Sequence, residues 1–111
     1  MTKQILVAFI TQKLKDLYEE LRNGRFEDKE LYFSITKATN DLKLNPTYGI
    51  KVPRYLWPKE YIQKYAITNL WKLNLPKGWR LVYTIEADEI KVMNIILEWM
   101  THKEYERRFK Y

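Results

Sequence analysis

Hydrophobic positions along the chain change period twice, and each change marks a change of element. Residues 5–10 are continuously apolar. Such a run fits a buried strand or the first turns of a helix equally well, because periodicity separates the two only over longer stretches. From Leu14 the spacing is helical: Leu14, Leu17, Tyr18 and Leu21 share a face, while Asp16, Glu19 and Glu20 point outward. Asn23-Gly24 closes this segment. A second helix is predicted over Glu27–Lys43, with Leu31, Ile35, Ala38 and Leu42 along one stripe. Glu27, Asp28 and Glu30 stand near its start, where the helix dipole favours negative charge. Asn45-Pro46 ends it, since proline offers no amide to a continuing helix.

Residues 45–66 read as a long connection broken by Pro46, Gly49, Pro53 and Pro58. Tyr48, Tyr55, Leu56, Trp57, Tyr61 and Tyr65 make it too apolar for a free linker. It is expected to lie against the body as cover for the core, with Lys51, Arg54, Lys59 and Lys64 in water and a helical turn near Lys59–Lys64. Beyond it the period becomes two. Ile67–Leu75 alternates, placing Ile67, Asn69, Trp71 and Leu73 on one side. Pro76-Lys77-Gly78 is a tight turn, and Trp79–Ile85 is a second strand rich in residues that favour sheets. Ala87-Asp88-Glu89 turns the chain into a third strand, Ile90–Leu97, whose unbroken apolar run predicts burial on both faces. Short turns between three strands predict an antiparallel meander. Thr101–Tyr111 reads as a short helix or extended arm. The expectation is a single α+β domain over residues 1–111. Two N-terminal helices pack on a small, curved, mainly antiparallel sheet, the opposite face of which is left for a partner or substrate.

Charge adds a direction to this plan. The chain of 111 residues carries a net +6, unevenly placed. Residues 1–42 balance, residues 43–80 hold eight basic side chains against one acidic, and the last eleven residues return to +2. Such a stretch attracts polyanions and speeds their association, and it would attract an acidic protein too. Surplus Lys and Arg on an ordinary surface is the other reading. There is no cysteine, which removes disulfides and thiolate metal sites and suits a reducing cytoplasm. No segment is long and apolar enough to span a bilayer. Residues 5–10 lack the small-residue cleavage site of a signal peptide, so a cytoplasmic protein without membrane contact is expected. With one histidine, no cysteine and no Gly-rich phosphate loop or calcium-loop pattern, neither metal nor cofactor is expected.

The remaining chemistry is basic and aromatic: Lys72, Arg80, His102, Lys103 and Tyr105. Lys72 and Arg80 flank the Pro76–Gly78 turn, in a hairpin expected to face residue 73 with residue 80. Two cations on one sheet face repel unless an anion lies between them, and a phosphate matches the guanidinium fork. RNA cleavage needs a base for the 2′-hydroxyl, a clamp on the phosphate and an acid for the leaving oxygen. Imidazole suits proton transfer near neutral pH. Residue types alone leave a structural reading open. In it Arg80 pairs with Glu86 or Glu98, His102 caps a helix, and Tyr105, Phe109 and Tyr111 anchor the tail.

Asn69–Ile85, with its glycine turn followed by Trp79-Arg80-Leu81-Val82-Tyr83, resembles the central hairpin of the RelE/ParE toxin superfamily. Ile95–Tyr105 looks like that family's final strand and its basic-to-tyrosine signature. Asp41–Pro46 followed by Gly49 is similar to the end of its second helix. The resemblance spans about residues 27–111. The Ile50–Tyr65 insertion and the Glu-Arg-Arg-Phe-Lys-Tyr ending look like an archaeal branch.

The resemblance implies a small sheet flanked by two N-terminal helices, with Ile5–Ile10 as the first strand. It also implies a toxin of a toxin–antitoxin system, a ribosome-dependent endoribonuclease that cuts mRNA, inhibits translation and is restrained by an antitoxin protein. Carried over by position, Arg80 would clamp the scissile phosphate and Lys72 would act as cation or base. Tyr105 would stack on a base or assist proton transfer, and His102 would be the general acid or base. Lys77, Lys103, Arg107 and Arg108 would bind RNA phosphates. Asn74 departs from the pattern, because the nuclease branch carries a second basic residue there. The ParE branch shares the fold, lacks the nuclease residues and inhibits gyrase. A non-catalytic inhibitor or protein-binding module is therefore the alternative.

Overall fold

The computed structural model of the protein describes residues 3–109. Its elements run β1 (Gln4–Phe9), α1 (Gln12–Leu21), α2 (Phe26–Leu44), β2 (Ile50–Lys51), α3 (Lys59–Tyr65), β3 (Trp71–Leu75), β4 (Trp79–Ala87), β5 (Lys91–Thr101) and α4 (His102–Phe109). The α+β class holds, but the plan of a helix pair leading onto an antiparallel sheet is corrected. A strand comes first, and the five-stranded sheet, ordered β1-β5-β4-β3-β2, is mixed. The apolar run of residues 5–10 therefore resolves as strand through Phe9. β1 lies parallel to β5, with Ile5 opposite Val92 and Phe9 opposite Ile96. Parallel pairing needs a long crossover, and the intervening elements supply it.

Local chemistry sets the helix starts. Thr11 caps α1 by accepting the Leu14 amide at 3.1 Å, and Asp28 closes the start of α2 by accepting the Arg25 amide at 2.9 Å. Leu31, Ile35, Ala38 and Leu42 of α2 are all buried, packed with Tyr18, Leu73, Leu81, Tyr83 and Ile96. This is one core, between the helix pair and one face of the sheet.

The opposite face is not open, which corrects the second expectation. Val52, Trp57, Tyr61, Tyr105 and Phe109 cover it, packed on Leu70, Val82, Leu97 and Met100. The apolar residues of the 45–66 connection and of the C-terminal helix thus build a second core. Gly49 lets the connection approach the sheet. A Cβ there would lie 2.6 Å from the Lys72 carbonyl oxygen and 2.7 Å from the Tyr83 hydroxyl. That hydroxyl accepts the Gly49 amide at 3.1 Å and donates to the Pro46 carbonyl at 2.7 Å.

Two details of the meander also differ from expectation. β3 begins at Trp71, because Asn69 replaces the ladder with its side chain. Its amide group donates to the Ile85 carbonyl and its oxygen accepts the Ile85 amide, both at 2.8 Å. Ile67 and Leu70 then join the α3/α4 side, while Trp71 and Leu73 face α1 and α2. The hairpin register is one residue off as well: Asn74, not Leu73, stands opposite Arg80, and Leu75 opposite Trp79. Lys77 and Gly78 both take left-handed backbone angles (φ 64° and 78°), so the reversal consumes three residues.

Candidate functional site

The register decides which side chains meet. A one-residue slip would send facing side chains to opposite faces. With Asn74 opposite Arg80 and Lys72 opposite Val82, these four residues share one face. β5 adds Met100 beside Arg80 and Glu98 beside Val82. α4 starts directly after Thr101, whose hydroxyl accepts the Glu104 amide at 3.2 Å. It folds back over this face, which brings the tail to the hairpin.

Arg80, Lys72, His102 and Tyr105 consequently gather in one place. Arg80 Nη2 lies 2.8 Å from His102 Nδ1, and Arg80 Nη1 donates to the Trp79 carbonyl at 3.0 Å. The other nitrogen of His102, Nε2, contacts Glu106 Oε1, one turn along α4. A guanidinium only donates, so Nδ1 must accept, and the imidazole proton sits on Nε2 facing the carboxylate. His102 and Glu106 are each about half exposed (52% and 54%). The result is a chain of three polar groups, Arg80, His102 and Glu106, open to solvent at the mouth of the second core. Glu106 was absent from the sequence-based set, although its spacing of four from His102 on a helix signals contact.

Lys72 reaches the same region with its ammonium 4.7 Å from the centroid of the Tyr105 ring. Tyr105 itself is 1% exposed. Its ring stacks on Phe109 with centroids 4.1 Å apart. The expectation that Tyr105 stacks on an RNA base is corrected: both faces of the ring are engaged inside the protein. Arg80 pairs with neither Glu86 nor Glu98. Tyr61 donates to Glu98 at 2.6 Å and Arg108 pairs with it at 2.8 Å. Burial, reinforced by that acceptor, pushes the Tyr61 phenol far above its ordinary range.

The four peripheral cations divide. Arg108 is taken by Glu98 and Glu60 and its side chain is 17% exposed, so phosphate binding is corrected to a structural clasp joining α4, β5 and α3. Lys77 leans 3.7 Å toward Glu30 of α2. Arg107 is exposed and pairs with Glu104 at 2.7 Å, and Lys103 is exposed at the start of α4. Tyr111, expected as a tail anchor, lies outside the described residues.

The fold and site define an α+β protein with a mixed five-stranded sheet and a solvent-open Arg–His–Glu group where its C-terminal helix meets the central hairpin. Comparison with family models, with curated proteins and with solved structures finds no match to the chain. Among the described residues no helix is long and apolar enough to cross a membrane.

Proposed function

We propose that the chain is a RelE-like toxin that cleaves mRNA on the ribosome, with Arg80 and His102 as its catalytic pair. The contact between Arg80 Nη2 and His102 Nδ1 carries this reading. A phosphate is a stronger acceptor for a guanidinium than a neutral imidazole is. An arriving scissile phosphate therefore draws Arg80 off Nδ1, and the substrate uncovers the base that will act on it. His102 Nδ1 then takes the proton of the 2′-hydroxyl. The 2′-oxygen bonds to phosphorus, the bond to the 5′-oxygen breaks, and that oxygen leaves with a proton from solvent. Glu106, on Nε2–H, holds the ring in the required tautomer and offsets the charge it acquires. Lys72, on the same face, adds positive charge where the phosphate would sit.

An antitoxin protein with an acidic or amphipathic segment is the proposed restraining partner, matched to the basic surface of residues 43–80. One observation favours a second reading. Asn74 faces Arg80 in the strand pairing where the nuclease branch has a cation, as a non-catalytic ParE-like inhibitor or protein-binding module would allow.

Primer extension on a translated mRNA after brief induction separates the two. New 5′ ends with the wild-type chain, and none with Arg80→Ala or His102→Ala, are expected. Growth arrest without new ends, persisting in both variants, would sink the nuclease reading and favour the binding module.

A further inference from the structure

Beside α4, away from the Arg80–His102 pair, lies a cleft of about 420 Å³ between the 54–59 segment and the end of that helix. This volume is in the range of ligand sites. Trp57 and Pro58 lie on one side and Arg107 and Arg108 on the other. Tyr55 stands at the rim and is 86% exposed, the most exposed of the large hydrophobic side chains among the described residues.

The backbone that carries this ring is held rather than loose. Arg54–Leu56 forms a single tight turn between Pro53 and Pro58, closed by the Leu56 amide on the Pro53 carbonyl at 3.0 Å. Trp57 pins the turn from below, its indole N–H donating to the Val52 carbonyl at 2.8 Å. The Arg54 guanidinium lies 5.4 Å from the centroid of the Trp57 ring. Prolines and these contacts fix the backbone that presents Tyr55, so little ordering is needed when a ligand stacks on it. Lys59 supplies positive charge at the edge, as does Arg107, which is exposed and pairs with Glu104 on its own helix. The one acidic wall residue, Glu60, is already paired with Arg108.

Flat aromatic surface interleaved with cations fits a single-stranded nucleic acid, which brings stacking faces and phosphates together. An acidic peptide would use the cations and leave Tyr55 without a role. Resting on the nuclease reading above, we propose that this cleft is a second nucleotide subsite on the same RNA strand. A base lies on Tyr55, and the flanking phosphate meets Lys59 and Arg107. His102 and Arg107 are five residues apart on α4, about 7.5 Å along its axis and about 140° around it, so the path between them runs part of the way round the helix. A strand leaving the Arg80–His102 pair therefore reaches the cleft within a few nucleotides.

Fluorescence anisotropy with a labelled single-stranded 2′-O-methyl RNA, which cannot be cut, tests this on the full chain. Tyr55→Ala is expected to bind about 5- to 150-fold more weakly, the scale of one stacked base. Tyr55→Phe should stay within about twofold, because stacking needs the ring and not the hydroxyl. An abasic nucleotide at the stacked position should weaken the wild-type chain and leave Tyr55→Ala no weaker still. Wild-type affinity in Tyr55→Ala together with weakened binding by Arg80→Ala would overturn the subsite and leave the catalytic pair standing. Unchanged binding in both variants, or no binding by the wild-type chain, would overturn the subsite, while the nuclease reading, which places cleavage on the ribosome, stands or falls by the primer-extension assay.

Discussion

Arg108 holds Glu98 of β5 at 2.8 Å and, through its other terminal nitrogen, pairs with Glu60 of α3. One guanidinium thus ties three elements over the second core. Removing it leaves Glu98 half-buried, with the Tyr61 hydroxyl still donating to it. Arg108→Ala should cost about 1–3 kcal/mol of stability by urea unfolding. RNA affinity of the folded variant should fall as well, because Glu60 then stands as an unpaired negative charge in the wall of the Tyr55 cleft.

Tyr105 leads to a prediction about how toxicity data should be read. The ring is sealed between Lys72 and Phe109, so Tyr105→Ala opens a cavity and should cost about 3–5 kcal/mol. Loss of toxicity in that variant would then report unfolding. Thermal unfolding run beside the growth assay separates the two causes. Tyr105→Phe, which keeps the ring, should remain folded.

Gly49 tolerates no side chain, although its backbone angles suit any residue (φ −75°). The obstacle is space, set by the Lys72 carbonyl and the Tyr83 hydroxyl. Gly49→Ala must push the 46–49 turn off the sheet and break the two hydrogen bonds of Tyr83. A loss of about 1–3 kcal/mol in chemical denaturation is expected.

Tyr83 also sets an alkaline limit. Burial pushes its phenol up to about 12, while the Gly49 amide works in the opposite direction. The folded state therefore keeps a proton that the unfolded chain gives up near pH 10. This contribution to stability is fully present below pH 10 and is lost as pH rises to about 12. It amounts to about 2–3 kcal/mol. Melting temperature should fall across that window, and Tyr83→Phe should make the fall shallower while lowering the plateau, the rest of the fall coming from the raised phenol of Tyr61.

Much of this architecture was legible where the pattern is local. The stripe Leu31, Ile35, Ala38, Leu42 is a helix face whatever it packs against, and Pro76-Lys77-Gly78 reads as a turn from its residue types. What was not legible depends on distant partners or on one backbone angle. β1 is strand because β5 offers it an edge, which nothing in residues 5–10 encodes. The left-handed Lys77 moved the register by one and placed Arg80 across from Asn74. Arg108 looked like a phosphate ligand until residues 60 and 98 were brought to it. Two further features of the site are legible in residue spacing alone. Tyr105 and Phe109 are four apart, as on the apolar face of a helix, and so are His102 and Glu106.

His102 is the only histidine in the chain, so its imidazole nitrogens can be followed alone by ¹⁵N NMR. In the unbound protein Nδ1 should show the signature of a hydrogen-bond acceptor and Nε2 that of an N–H. Saturation with the 2′-O-methyl RNA should shift Nδ1 toward its position in unbound Arg80→Ala, with Nε2 still protonated. An Nδ1 resonance that RNA leaves unmoved, or a proton found on Nδ1 in the unbound protein, would contradict the claim that a phosphate arms this base by drawing Arg80 away.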